Sequence, residues 1–209
     1  ILMEKIKKDK IMEKIKDENV FKKIVQCSEY IEENGLTYVT IDHKKAAYEA
    51  VSHLISIGKK DIYLFSMKKN YTYSTLRREG LIEAMRDNGL EFKKENEILL
   101  DELSIKEAQK HMNIILNNRE VKNIGIFAVS DVIAIGILKA LNTKNMKIPQ
   151  EAAVIGFDNI DFSAVTEPSL TTVSQPGYEL GAESVKSLVR KITGEYSDPE
   201  KIILDHELI

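Results

Sequence analysis

A repeated pairing restricts the fold of this chain more than anything else in it: a short apolar run, then a stretch with helical periodicity. The apolar runs are Ile24-Val25, Tyr38–Ile41, Ile62–Phe65, Ile124–Val129 and Ala152–Phe157. Several are continuously apolar rather than alternating, as strands covered on both faces of a parallel sheet are. The spacing predicts helices over 44–57, 75–88, 105–117, 132–141 and 177–193. Gly58, Asn88-Gly89 and Gly194 stand where helices end. Ser104 to Glu107 has the form of a capping box, and Pro176 suits a first helical turn. Residues 132–141 are apolar nearly all round, which predicts a buried helix, with a second subunit as one possible cover. Strand–helix alternation implies right-handed crossovers and an open, doubly wound α/β sheet. One stretch breaks the rhythm. Asp158 to Pro176 has no helix pattern, and its centre, Leu170–Val173, is β-prone. A chain leaving one sheet and entering another has this form.

Composition removes several functional classes. At 43% hydrophobic residues spread along the chain, intrinsic disorder is excluded. No apolar run approaches the roughly 20 residues of a membrane span. Thirty basic against thirty-three acidic residues give a net charge of −3, which argues against nucleic-acid binding by this chain alone. The single cysteine, Cys27, lies in a strand-like stretch and reads as an inert buried thiol. With four scattered histidines it offers no metal site. Residues 5–18 form a highly charged helical pattern with an Ile/Met stripe, read as a solvated face. Asn70-Tyr71-Thr72 matches a glycosylation acceptor, a triplet that arises readily by chance. The opening residues Ile-Leu-Met-Glu show no signal-peptide pattern and read as mid-strand, the expectation being a fragment.

Ligands of open α/β sheets bind outside the carboxyl ends of the strands. The run Ile62–Phe65 leads to Ser66, Asn70, Tyr71, Tyr73, Ser74 and then Arg77. The run Ile124–Val129 ends in Ser130-Asp131, and Ala152–Phe157 ends in Asp158-Asn159. A carboxylate can accept from two adjacent hydroxyls, and a guanidinium offers a planar fork of donors. Tyr71, Tyr73 or Phe157 can stack on an apolar sugar face. Each residue also has a plain reading: Ser130 or Asp131 as a helix N-cap, Asp158-Asn159 as a turn, Arg77 as a surface ion pair, the tyrosines as loop packing. No phosphate loop, nucleophile elbow or nucleophile–base set is present, so no catalysis and no cofactor are expected.

Ile155-Gly156-Phe157-Asp158-Asn159-Ile160, followed by Pro168-Ser169-Leu170-Thr171-Thr172-Val173-Ser174-Gln175-Pro176, resembles the hallmark of LacI/GalR-type transcriptional regulators. The stretch from Phe127 to Gly136, Ile41–Ala47 and Leu76–Gly80 extend the resemblance in order and spacing. It implies an effector domain of the periplasmic-binding-protein-like type I, with two doubly wound parallel-sheet lobes and an incomplete N-terminal lobe. Residues 1–41 and 174–193 then form the partial N-terminal lobe, and residues 44–172 and 195–209 the C-terminal lobe. Crossings fall near Asp42, Val173–Pro176 and Gly194.

By the same resemblance, Arg77 and Asp158 match effector-contacting residues, and Ser130, beside Asp131, stands where asparagine is frequent. Gln175 lies at a crossover, where its side chain can face the cleft. Asp42 matches a crossover residue that is hinge or contact. The implied function is sensing of a small molecule, a sugar or related metabolite, by a cytoplasmic homodimeric regulator. Operator DNA would be bound through a helix-turn-helix that this sequence does not contain. The second reading is an exported solute-binding receptor of a sugar transporter, which shares the fold.

Overall fold

The computed structural model describes residue 20 and residues 23–31, 35–68, 71–195 and 198–209. The charged helical pattern at 5–18 and Asn70 lie outside them. The chain divides into two compact units. The larger holds residues 43–70, 74–175 and 207–209; the smaller holds 1–42, 71–73 and 176–206.

The larger unit is built on a six-stranded sheet. Its strands are β3 (Asp61–Met67), β4 (Glu97–Leu100), β5 (Ile124–Ala128), β6 (Ala152–Asp158), β7 (Thr171–Ser174) and β9 (Glu207–Leu208), in the spatial order β4-β3-β5-β6-β7-β9. All pairs are parallel except β7 with β9. Every residue of β5 is buried, which accounts for its unbroken apolar run. Its helices are α1 (His43–Ser56), most of α2 (Thr72–Asp87), α3 (Ile105–Asn118) and α4 (Asp131–Thr143).

The helix ends follow local chemistry. Ser104 caps α3 by accepting from the Glu107 N–H at 3.1 Å. Gly58 and Gly89 carry φ of 87° and 69° just past α1 and α2, a region costly for a residue with a Cβ. The expected burial of 132–141 is found, and its cover comes from the same chain. A Cβ on Gly136 of α4 would lie 2.4 Å from the Ile105 carbonyl oxygen and 2.8 Å from the Ala108 Cβ of α3. No second subunit is needed to bury it. β4 went unread because four residues with only Leu100 buried leave little pattern.

In the smaller unit, β1 (Val25–Cys27), β2 (Thr37–Ile41) and β8 (Lys201–Leu204) form a parallel sheet in the order β1-β2-β8. Helix α5 (Gly177–Thr193) packs on β1 and β2 and ends at Gly194, φ 77°. The Tyr30 and Tyr38 rings stack at 4.1 Å. Two expectations are corrected here. Cys27 is exposed, because on a strand of alternating exposure Gln26 is the residue turned inward. Residues 195–209 do not stay together: β8 pairs with β2, and only 207–209 join the larger unit. The last passage between units therefore falls after His206 rather than near Gly194.

The stretch Asp158–Pro176 does not carry the chain into a second sheet. It makes a 3-10 turn at Asp161–Val165, then β7 beside β6, and enters the smaller unit only as α5 begins.

Candidate functional site

The strand order places a topological switch between β3 and β5: from β3 the chain runs outward to β4, and from β5 it runs the other way to β6 and β7. Open α/β sheets bind ligands at such a point, beyond the carboxyl ends. In the larger unit those ends bring together His43, Arg77, Ser130, Asp158 and Gln175.

Arg77 reaches this place because α2 lies against α1 at Gly80. A Cβ there would sit 2.1 Å from the Lys44 carbonyl oxygen and 3.0 Å from the Ala47 Cβ. The close approach leaves Arg77 only 3% exposed, so the surface-pair reading fails for it. That reading suits its neighbour Arg78, whose Nε and Nη2 donate to the two carboxylate oxygens of Glu97 at 2.6 and 3.1 Å. Arg77 donates from Nη1 to the Val129 carbonyl, and its Nη2 lies 3.2 Å from His43 Nδ1. Its Cζ sits 3.3 Å from the centroid of the Phe157 ring, a cation–π arrangement.

Asp158 ends β6 with φ 115°, and Asn159 follows at φ 54°. The turn reading and the site reading are therefore both present, since the turn aims the carboxylate. Ser130 Oγ donates to Asp158 Oδ2 at 3.0 Å, and Gln175 Nε2 donates to Oδ1 at 2.8 Å. Arg77 Nη1 lies 3.8 Å from the same Oδ1. The Asp158 side chain keeps 32% exposure, so it can still meet a ligand. Burial pushes its carboxyl up from the usual range, opposed by Arg77 and by the hydrogen bonds from Ser130 and Gln175.

Ser130 serves twice, since its Oγ also accepts from the Val132 N–H at 3.3 Å as the N-cap of α4. Asp131 is different. It is fully buried, Oδ1 accepts from Thr172 Oγ1 at 2.6 Å, and Oδ2 accepts from the Ile160 N–H at 2.9 Å. It braces the turn behind Asp158 and does not face a ligand, which corrects its place among the contacting residues. Burial pushes its carboxyl up to about 6. Gly156 makes room for this brace, for a Cβ there would lie 2.2 Å from Asp131 Oδ1.

Tyr73 and Asp42 belong to the smaller unit. Tyr73 stacks on Tyr71 at 5.2 Å, and the Glu29 carboxylate accepts from the Thr72 and Tyr73 N–H groups at 2.7 and 3.2 Å. Loop packing is thus realised for both tyrosines. Asp42 is exposed at the end of β2. Two contributors were missed from sequence, His43 and the Val129 carbonyl. The only signal for His43 was its place just after a strand end, beside Asp42. Among the described residues no group of three or more His, Cys, Asp or Glu side chains gathers to hold a metal, and no helix is long and apolar enough to cross a membrane.

Comparison with known proteins agrees with this architecture. The pattern of the periplasmic binding protein-like domain family matches residues 51–209. The chain belongs to that family. Its relatives are LacI-family transcriptional regulators. The HTH-type transcriptional regulator RegA of Clostridium saccharobutylicum is 33% identical over 176 residues, which cover 83% of this chain and 52% of that protein. The transcription regulator CcpA of Lactococcus lactis superposes with a TM-score of 0.85 at 26% identity, covering 96% of this chain and 72% of that one. A LacI-family regulator from Enterococcus faecium with bound ribose superposes with a TM-score of 0.73 at 28% identity, covering 83% and 63%. The chain spans about half the length of the curated relatives it matches. Those relatives are regulators rather than enzymes or exported receptors.

Proposed function

We propose that this periplasmic-binding-protein-like domain senses a small polyhydroxylated effector, of the sugar class, within a LacI-type transcriptional regulator. One observation carries the reading: Asp158, partly exposed at the switch point, is held by Ser130 and Gln175 beside the buried Arg77 guanidinium. A carboxylate anchored on both oxygens keeps lone pairs for two ligand hydroxyls, and its orientation is fixed before the ligand arrives. Arg77 offsets the charge that a ligand would otherwise bury. Binding would bias the conformation of a longer, dimeric, cytoplasmic protein whose helix-turn-helix reads operator DNA. The ribose held by the Enterococcus faecium neighbour supports the sugar class.

The test is calorimetric titration of the chain with a panel of aldoses, beginning with D-ribose. We expect one to bind and Asp158→Ala to abolish the heat while the fold, followed by circular dichroism, persists. Unchanged affinity in the variant removes Asp158 from the site, and silence across the panel overturns the sugar class.

A further inference from the structure

Two polar atoms beside the candidate site are buried and idle: the Ser74 hydroxyl and the side-chain oxygen of Gln175. Among the described residues neither has a hydrogen-bond partner. A buried polar group without a partner destabilises the fold, and a ligand that supplies the partner removes that cost. Other buried serines are paired. Ser130 donates to Asp158, Ser163 donates to the Ile160 carbonyl, and Ser187 accepts from Arg190.

Helix geometry puts Ser74 at the crevice. β3 and β4 are parallel neighbours, so α2, the helix between them, runs back from the carboxyl edge of the sheet and has its first turn there. The buried stripe of α2 includes Met85, Ala84, Leu81, Arg77 and Ser74. It is apolar where it covers the strands and polar where they end. Residues three apart are neighbours on a helix face, and a helical side chain leans back over the turn before it. The Arg77 head therefore lies over the turn that holds Ser74, which is 5% exposed. Gln175 is fixed by Asp158. The carboxylate only accepts, and it takes the Nε2 hydrogen at 2.8 Å, so the amide cannot be turned over and Oε1 faces away from it.

We propose that Ser74 is a specificity-determining contact of the ligand site: its hydroxyl pairs with one ligand hydroxyl while Gln175 Oε1 accepts from a second. The proposal rests on the reading that Asp158 and Arg77 meet a polyhydroxylated effector, and it narrows that class. Asp158 and Gln175 Oε1 have only lone pairs to offer. Their ligand must bring hydrogens, as a neutral polyol with unblocked hydroxyls does. A carboxylate or phosphate ester would set oxygens against oxygens. A deoxy analogue would leave a buried atom as idle as it is in the free protein, and sites built to bond a hydroxyl reject analogues that lack it.

The test has two arms on the full chain. The first is calorimetric titration of the wild type and Ser74→Ala with D-ribose and its monodeoxy analogues. We expect Ser74→Ala to weaken D-ribose binding by about tenfold, the size of one hydrogen bond. One monodeoxy analogue should bind the wild type about tenfold less tightly than D-ribose and bind Ser74→Ala no worse than the wild type, the coupling that a direct contact produces. Unchanged D-ribose affinity in Ser74→Ala overturns the proposal. So does an equal loss for D-ribose and every analogue, which marks a structural role.

The second arm needs no ligand. Removal of an idle buried hydroxyl should leave the urea midpoint of Ser74→Ala at or above that of the wild type. Ser163→Ala, which strips a paired hydroxyl, should lower it. A lowered midpoint for Ser74→Ala overturns the proposal, because it reveals a partner within the fold. Silence of D-ribose and all its analogues toward the wild type counts against the sugar reading alone, and the midpoint then decides the role of Ser74.

Discussion

Two buried cations sit at opposite ends of the same sheet, and their surroundings differ. At the amino end, Lys59 is 2% exposed and donates to Asn123 Oδ1 at 2.8 Å and to the Gln150 carbonyl at 2.7 Å. Asn123 in turn donates to the Gly58 carbonyl, and nearby Asn96 donates to Asp61 and to the Ile62 carbonyl. Among the described residues the ammonium is hydrogen-bonded to two neutral acceptors and to no carboxylate, and burial pushes it down from its usual value. At the carboxyl end, Arg77 lies beside a carboxylate that retains 32% exposure and is turned by an unusual backbone angle. The amino end spends its polar groups on one another. The carboxyl end leaves a carboxylate partly open beside a buried cation, the feature on which the proposed ligand site rests.

The contrast breaks most readily through the cations themselves. Arg77→Ala should weaken D-ribose binding by about 2–5 kcal/mol, the usual loss when one partner of a buried charged pair is truncated. Lys59→Ala should lower the urea midpoint and leave the calorimetric affinity of the folded protein unchanged. Equal losses of affinity would erase the distinction between the two ends.

A second effect, of roughly 3 kcal/mol at most, belongs to Asp131. Its carboxyl titrates at about 6 in the fold. It titrates near 3.9 unfolded. The native state thus holds the proton more tightly. The stabilisation is complete below the unfolded value and is lost as pH rises through about 6. Urea midpoints from pH 4 to pH 7.5 should fall more steeply for the wild type than for Asp131→Asn. Parallel curves would mean that Thr172 and Ile160 compensate the buried charge fully.

The smallest effect compares two glycines. A Cβ on Gly156 meets the hydrogen-bonded Asp131 oxygen at 2.2 Å, whereas on Gly125, toward the amino end, it meets the flexible tip of Ile62 at 2.6 Å and the Lys59 Cβ at 3.0 Å. Gly156→Ala should cost about 1–3 kcal/mol in chemical unfolding, the range of overpacked cores, and Gly125→Ala less, because side-chain tips can move.

Legibility of the fold follows from how local its causes are. Gly58, Gly89 and Gly194 mark helix ends because a positive φ is cheap for glycine alone. The buried strands β5 and β6 announce themselves as apolar runs because both faces are covered. Edge strands did not: β4 and β8 are short and half-exposed, and β8 pairs with β2 across more than 160 residues. Arg77, Ser130, Asp158 and Gln175 could be named from strand-end positions and from the resemblance. His43 could not, because its meaning comes from Arg77, 34 residues away.

The sequence by itself determined the helices, the buried strands, their order and the polar residues at the strand ends, since these depend on periodicity and on backbone preference at single positions. Tertiary structure decided which member of each adjacent pair does what. Arg77 turns inward while Arg78 reaches Glu97. Ser130 touches Asp158 while Asp131 is drawn under the turn by Thr172 and Ile160. Neighbouring side chains on a helix point about 100° apart. What each one meets is supplied by strands and helices distant in the chain, and no local pattern encodes that.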